Sequence, residues 1–166
     1  MTSASISHES EAEPTLELVA RLTVRLAAAL DLGETSAGLR RIIPIVGGTV
    51  DGPLLTGEII AGGADWNTWN EADRTGILFA QYAIRLDDGT VIGVTNTGRH
   101  TIPAPDEPIF TSPALEAPPG RYGWLNHAAF IGTLRPSESG EGTVQLEFWR
   151  ARMGRRQPID ATKDKS

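Results

Sequence analysis

The chain has no cysteine among its 166 residues. That absence excludes a disulfide framework, thiol nucleophiles and thiolate-bound metals. It also lacks an excess of positive charge. Fifteen Lys and Arg stand against 21 Asp and Glu, a formal net charge of −6. A nucleic-acid surface should be basic, so the balance argues against one. No apolar run approaches the roughly 20 residues that span a bilayer as a helix. The opening "MTSASISHESEAEP" has no basic start followed by an apolar run, so it does not read as a secretory signal. These features predict a soluble, cytoplasmic protein without nucleic-acid or membrane partners.

Several catalytic signatures are missing too. Of the three histidines, His8 lies near the N-terminus, while His100 and His127 stand alone without metal-ligand spacing. "GGTVDG" is followed by no Lys-Ser/Thr, so it is not a phosphate loop. "TSP" at 111–113 is not a nucleophile elbow, which disfavours a serine hydrolase. The expectation is a protein that uses neither a metal nor another cofactor.

The dominant sequence period is two. "GILFAQYAIRL" (76–86) alternates, with Leu78, Ala80, Tyr82 and Ile84 on one face. "DDG" (87–89) makes a tight turn into "TVIGVTN" (90–96), which predicts a hairpin. "YGWLNHAAFIGTL" (122–134) and "TVQLEFWRAR" (143–152) predict a second hairpin around "RPSESGEG". "RRIIPIVGGTV" (40–50) is β-rich but holds Pro44 and Gly47–Gly48, which predict a bulge, an edge or a close backbone approach. "LLTGEIIA" (54–61) and residues 109–117 complete the downstream strands. Residues 15–30 fit either an amphipathic helix or a strand; the β context favours a strand. Residues 1–13 and 153–166 read as disordered tails around one domain at 14–152. About eight strands with almost no helix predict an antiparallel sandwich or barrel, and eight strands can close around packed side chains or one small ligand.

"RRIIPIVGGTVDGPLLTGEIIAGGADW", "AQYAIRLDDG", "VTNTG" and "YGWLN" resemble, in order, the family known as domain of unknown function 3237. The resemblance runs from about residue 15 to 150. It implies an all-β barrel of the calycin-like or allene-oxide-cyclase-like kind, with the first segment a strand. Against the family pattern, Phe79 and Gln81 replace an acidic and a basic residue, and "PIFT" (108–111) lacks an arginine. These departures predict a more apolar interior and a hydrophobic ligand.

The densest concentration of functional residue types is "GGADWNTWNEADRTG" (62–76), read here as a loop. Asp65 is either a turn aspartate accepting from backbone N–H groups or a shielded carboxylate at a barrel mouth, suited to proton transfer. Trp66 and Trp69 form either a hydrophobic lid or a ligand-stacking wall. An inward Tyr82 would need a partner for its hydroxyl. Arg99 could pair with Asp65 or hold an anionic ligand group. Asn96, Trp124, Asn126 and whichever of Arg40 and Arg41 faces inward (Arg41 is taken) complete the candidate ligand contacts. Asp65, Tyr82 and Arg99 are the candidate catalytic residues.

Three functional readings remain open at this level. In the first, the barrel is a cofactor-independent isomerase, cyclase or lyase for a small, largely apolar metabolite. In the second, it binds such a metabolite without converting it. The third is a filled, oligomer-forming scaffold. An outward face bearing Ile and Val also predicts a homo-oligomer.

Overall fold

The computed structural model describes residues 12–101, 108–136 and 142–155. Nine strands follow one another: β1 (Ala12–Leu26), β2 (Leu30–Thr35), β3 (Gly38–Asp51), β4 (Gly57–Asn70), β5 (Thr75–Leu86), β6 (Val91–Thr101), β7 (Ile109–Glu116), β8 (Phe130–Pro136) and β9 (Thr143–Arg155). They form one antiparallel sheet in the order β1-β9-β8-β7-β6-β5-β4-β3-β2. A further pairing of β1 with β3 closes eight of them into a barrel, leaving β2 as an arm outside the ring. The first segment is therefore a strand. Closure removes the exposed edges that an open sheet would carry.

β3 makes this closure possible by changing partners along its length. Its second half, Ile45–Asp51, pairs with Leu26–Arg21 of β1. Its first half, Gly38–Ile42, pairs with β2. The exchange falls at Pro44, whose carbonyl accepts from the Ala27 N–H at 2.9 Å. Pro44 has no N–H to offer a ladder, which suits a position where one partner strand ends and another begins. Just beyond, Gly47 and Gly48 take φ of +137° and +151° at a register shift against β4. The bend that the sequence predicts here is this paired-glycine bulge.

Three expectations are corrected. Residues 62–70 are not a loop: β4 continues through Asn70, and only the turn at 71–74 is irregular. The register shift between Ile60 and Ala64 is where Gly62 adopts φ of +115°, so the glycine pair forms a bulge inside a long strand. Residues 122–134 are not one strand. Gly123–Asn126 is a 3₁₀ turn, and β8 begins only at Phe130. The domain also extends beyond 14–152, because Ala12↔Arg155 and Glu13↔Gly154 are paired. Residues 1–11, 156–166, most of "HTIPAPDE" and the centre of "RPSESGEG" lie outside the described residues.

The predicted β5–β6 hairpin is present. Gly89, at φ +86°, donates to Leu86 O at 2.8 Å, and Asp88 Oδ1 accepts from the Thr90 N–H at 3.0 Å. The two ends of the barrel are built differently. One is filled: Val19, Ala20, Leu22, Leu55, Ile84, Leu86, Ile92, Leu125 and Phe148 are buried there in a continuous cluster. Each large side chain in it stabilises the fold by about 1.5–3 kcal/mol through burial. The 3₁₀ turn supplies Leu125 to this cluster. Toward the other end Asp65, Asn67, Asn96 and Thr111 join aliphatic side chains around an open interior.

Candidate active site

Asp65, Asn67, Leu78, Ala80, Tyr82, Asn96 and Thr111 face the barrel interior around a cavity of about 170 Å³. Register explains how four strands bring them together. Asp65 pairs with Ala80 of β5, Ala80 with Asn96 of β6, and Asn96 with Pro113 of β7. Alternation then sends residues 65 and 67, 78, 80 and 82, and 96 to the same side. The rest of the lining is apolar, with Val24, Leu26, Ile43, Ile45, Leu134, Val144 and Leu146. The β4 bulge makes room for Tyr82. A Cβ on Gly63 would lie 2.5 Å from Tyr82 Cβ and 2.8 Å from its Cα.

Asp65 lies within a strand rather than a turn, and its side chain both bonds backbone and faces the cavity. Its Oδ1 accepts from the Phe79 N–H of β5 at 2.8 Å, so the carboxylate serves the backbone of the adjacent strand. Burial nonetheless pushes its carboxyl above the ordinary aspartate range, against the opposing pull of the Phe79 N–H, the Asn67 side chain and His100. Tyr82 is 7 % exposed, and burial raises its phenol, so it is a neutral hydroxyl at physiological pH.

The raised Asp65 value has a consequence for stability. A carboxyl that holds its proton more tightly in the folded state contributes stability below the usual aspartate range. That contribution is lost as pH rises through the folded value. Urea unfolding of the parent and Asp65→Asn across pH 4–8 should therefore show the parent losing stability relative to the variant as pH increases. A constant difference between them would contradict the burial argument.

Beside the cavity lies a vestibule of about 400 Å³ lined by Leu39, Arg41, Ile43, Asn67, Trp69, Glu71 and His100. The two spaces share Ile43 and Asn67. The vestibule is walled by the β3–β4 pairs Leu39↔Trp69 and Arg41↔Asn67, with His100 opposite Gly76 on β5–β6. A side chain at 76 would collide with the His100 ring, so the glycine seats it. That ring lies 5.9 Å from the ring of Trp69, whose Nε1 donates to Glu71 Oε2 at 2.7 Å. Arg41 Nε donates to Asp31 Oδ1 of β2 at 2.9 Å. Arg41, not Arg40, shares the face of Ile43 and so lines this space.

The structure separates the other sequence-derived candidates from the cavity. Arg99 is on the outer face, beside Ile77, Thr97 and Phe110. Three residues after Asn96, it necessarily points to the opposite side of β6. Trp66 is likewise opposite in phase to Asp65. Trp124 belongs to the filled end, where the Arg150 guanidinium lies 4.7 Å from its ring centroid. Asn126 is a structural clamp there. Its Oδ1 accepts from Ala117 N–H at 2.8 Å, and its Nδ2 donates to the Ala117 carbonyl at 3.0 Å. Phe79 and Gln81 are exposed on the outer face, and so is Phe110. Their departure from the family pattern therefore does not make the interior apolar, contrary to expectation; the aliphatic lining does.

The sequence does not single out Asn67 and Thr111 as site residues, and it raises His100 only as a metal ligand. Asn67 sits two residues after Asp65, a spacing that carries meaning only once the segment is known to be a strand. His100 is in phase with Asn96, but nothing in sequence brings it to Trp69. Among the described residues no three His, Asp or Glu side chains gather to hold a metal ion.

The chain is similar to several known proteins over most of its length. A UPF0311 protein of Rhodopseudomonas palustris (strain TIE-1) is 35 % identical over 136 residues, covering 72 % of this chain and 88 % of that protein. The hydroalkoxylation enzyme phnH of Penicillium herquei is 27 % identical over 137 residues, covering 82 % and 83 %. Among solved structures, a conserved protein of unknown function from R. palustris superposes with a TM-score of 0.75 at 27 % identity, covering 84 % of this chain and 99 % of that one. A β-barrel-like protein from Acinetobacter baumannii gives 0.74 at 28 % identity, covering 84 % and 97 %. An enzyme from P. herquei gives 0.67 at 27 % identity, covering 84 % and 95 %. The family profile described as protein of unknown function (DUF3237) matches residues 14–151, and the chain belongs to that family.

Proposed function

We propose that the barrel is a cofactor-independent enzyme that adds, removes or relocates a proton on a small, largely apolar molecule held in the cavity. The observation that carries this reading is a single carboxyl group, Asp65, raised by burial and lining a cavity whose other residues are aliphatic or neutral. A carboxyl shielded in this way keeps its proton above the ordinary aspartate range and can deliver it and take it back. The relationship to a hydroalkoxylation enzyme makes cyclisation the favoured member of the class.

In such a reaction, the Asp65 carboxyl protonates one carbon of an electron-rich alkene. The substrate's own hydroxyl oxygen bonds to the other carbon, and its proton returns to the Asp65 carboxylate. One C–H and one C–O bond form, while the C=C π bond and the O–H bond break. The product is an isomer of the substrate, so no oxidant or reductant is needed. The cavity's contribution is to hold the chain in the cyclising conformer. The vestibule, with Arg41, Trp69 and His100, receives whatever part of the molecule exceeds the cavity.

The test uses 2-prenylphenol and related ortho-alkenyl phenols, followed by proton NMR. Loss of the alkene signal with formation of a cyclic ether of unchanged mass is the expected result. Binding of these compounds in the cavity without conversion of any of them would favour a non-catalytic carrier.

Self-association is proposed on separate grounds. Ile77, Phe79, Phe110 and Ile131 are exposed on adjacent strands β5 to β8, with Phe110 at 58 %. An apolar patch of this kind suits a second copy of the chain. Light scattering at micromolar concentration should give a dimer or larger species, and Phe110→Lys should shift it toward monomer. A monomeric parent would remove the claim.

A further inference from the structure

Three polar atoms inside the cavity have no hydrogen-bond partner: Tyr82 Oη, Asn96 Oδ1 and Thr111 Oγ1. Their residues are 7 %, 4 % and 5 % exposed, and all three line the same space. Leaving one such group unpaired costs about 1–3 kcal/mol, so three together constitute a feature that needs a cause.

The sheet places them on consecutive strands. Tyr82 is opposite Val94, two residues before Asn96 on β6. Thr111 is opposite Gly98, two residues after Asn96. Asn96 is thus the diagonal neighbour of both, at a backbone spacing of about 7–8 Å. Tyr82 and Thr111 flank Asn96 from either side along β6, and all three line one cavity. Thr111 is also flanked by Gly98 on β6 and Gly132 on β8, neither of which has a side chain to offer it.

We infer that Tyr82, Asn96 and Thr111 form a subsite for a neutral hydroxyl group carried on a single-ring apolar ligand. The donor and acceptor requirements select the group. Asn96 Oδ1 can only accept, so the ligand must donate to it. The Tyr82 and Thr111 hydroxyls can both donate, so the same ligand atom must also accept. A hydroxyl does both and satisfies all three. A carbonyl, ether or carboxylate oxygen leaves Asn96 Oδ1 orphaned. Size selects the ring, since a cavity of about 150 Å³ holds one benzene and this one measures about 170 Å³.

The subsite also has a defined relation to Asp65. Asp65, Ala80 and Asn96 lie in one row across β4, β5 and β6. Two strand spacings put the backbones of Asp65 and Asn96 about 10 Å apart, with the short Ala80 side chain between them. A ring bearing this hydroxyl spans that gap and presents its far side to the carboxyl, so the hydroxyl held here is an anchor distinct from the one that cyclises beside Asp65. The inference names the substrate class for the enzyme reading above, but the subsite itself does not require Asp65 to transfer a proton.

The probes are phenol, toluene and benzaldehyde, whose ring is common and whose substituents are a hydroxyl, a methyl and a carbonyl. Binding to the full chain is measured by protein-detected NMR. Phenol should bind about tenfold tighter than toluene, the gain expected of roughly one well-made hydrogen bond, and tighter than benzaldehyde. In Asn96→Leu, and in the shape-conserving double variant Tyr82→Phe/Thr111→Val, the phenol-to-toluene preference should fall to about one. The double variant replaces the orphaned hydroxyls with apolar groups of similar shape, so it provides the comparison if Asn96→Leu does not fold. Equal binding of phenol and toluene by the parent overturns the subsite. So does an unchanged preference in the variants that fold, equal binding of benzaldehyde and phenol, or a phenol-soaked structure in which the three atoms hold only water. Asp65→Asn should keep the phenol preference. If it abolishes the preference, Asp65 holds the hydroxyl and the assignment fails. If Asp65→Asn leaves turnover intact while the preference stands, it is the enzyme reading that fails and not the subsite.

Discussion

Asp65→Asn should retain ligand binding and lose turnover by a hundredfold or more. A positioned general acid–base group typically contributes 10²- to 10⁴-fold. The substitution is nearly isosteric, and the amide oxygen can still accept from the Phe79 N–H that the carboxylate now engages at 2.8 Å. The strand contact therefore survives while the transferable proton is removed. The parent should also show a characteristic pH response. Its active form is the protonated carboxyl, which burial keeps populated above the ordinary aspartate range. Activity should decline as pH rises through that elevated value. Steady-state kinetics with the converted alkenyl phenol, combined with binding measurements, distinguish the outcomes. A variant that binds and turns over like the parent would reduce Asp65 to a backbone acceptor. One that neither binds nor turns over, yet remains folded, would make it a binding group.

Gly48→Ala should be the most damaging small substitution in the barrel, lowering stability by about 3 kcal/mol or more. Two effects add. Gly48 has φ of +151°, in a region essentially restricted to glycine, and a non-glycine residue there costs about 1–3 kcal/mol. A Cβ would also collide with the backbone carbonyl of Thr23 and come within 2.9 Å of Ile59 Cδ1. Overpacking of this kind costs about 1–3 kcal/mol, and here the obstructing atom is backbone rather than a side-chain tip that can rotate away. Val24↔Gly48 is one of the β1–β3 pairs that close the ring, so the strain falls on closure itself. Against a typical total of about 5–15 kcal/mol, the variant should melt roughly 10 °C lower or fail to accumulate. Gly62→Ala is the control. It shares a positive φ of +115° but meets nothing within 4 Å, so only the backbone cost applies and the loss should be smaller. Equal effects at the two positions would show that steric closure is not what Gly48 protects.

Much of the architecture is legible in the amino-acid order because a strand's inside and outside are written as a period of two. Leu78, Ala80, Tyr82 and Ile84 all face the interior, as their alternation requires. The Asp-Asp-Gly turn and the Pro44–Gly47–Gly48 irregularity are likewise local chemistry: a left-handed glycine, and a residue without an N–H. Tyr82 is recognisable as a polar group in the inward phase, and Asp65 and Asn96 as polar groups of the right kind. The family resemblance adds the barrel and makes the first segment a strand.

What local pattern does not contain is register between strands, and the site depends on register. Asp65, Tyr82, Asn96 and Thr111 share a cavity because β4 to β7 align at particular offsets. The β4 bulge shows the limit most clearly. Gly62–Gly63 signals irregularity, but the same two residues can end a strand or bulge it, and only pairing with β3 and β5 decides between them. Read as a loop, the segment offers Trp66 as readily as Asp65 to a ligand. Built as a strand, it sends them to opposite faces and brings in Asn67. The same alternation removes Arg99, three positions from Asn96. The fate of Trp124 and Asn126 was decided by closure, since a barrel with one filled end needs a plug and the 3₁₀ turn supplies it through Leu125. Sequence determined which residues could face inward. Tertiary structure decided which of them meet, because a hydrogen-bonded ladder fixes distances across strands that lie far apart along the chain.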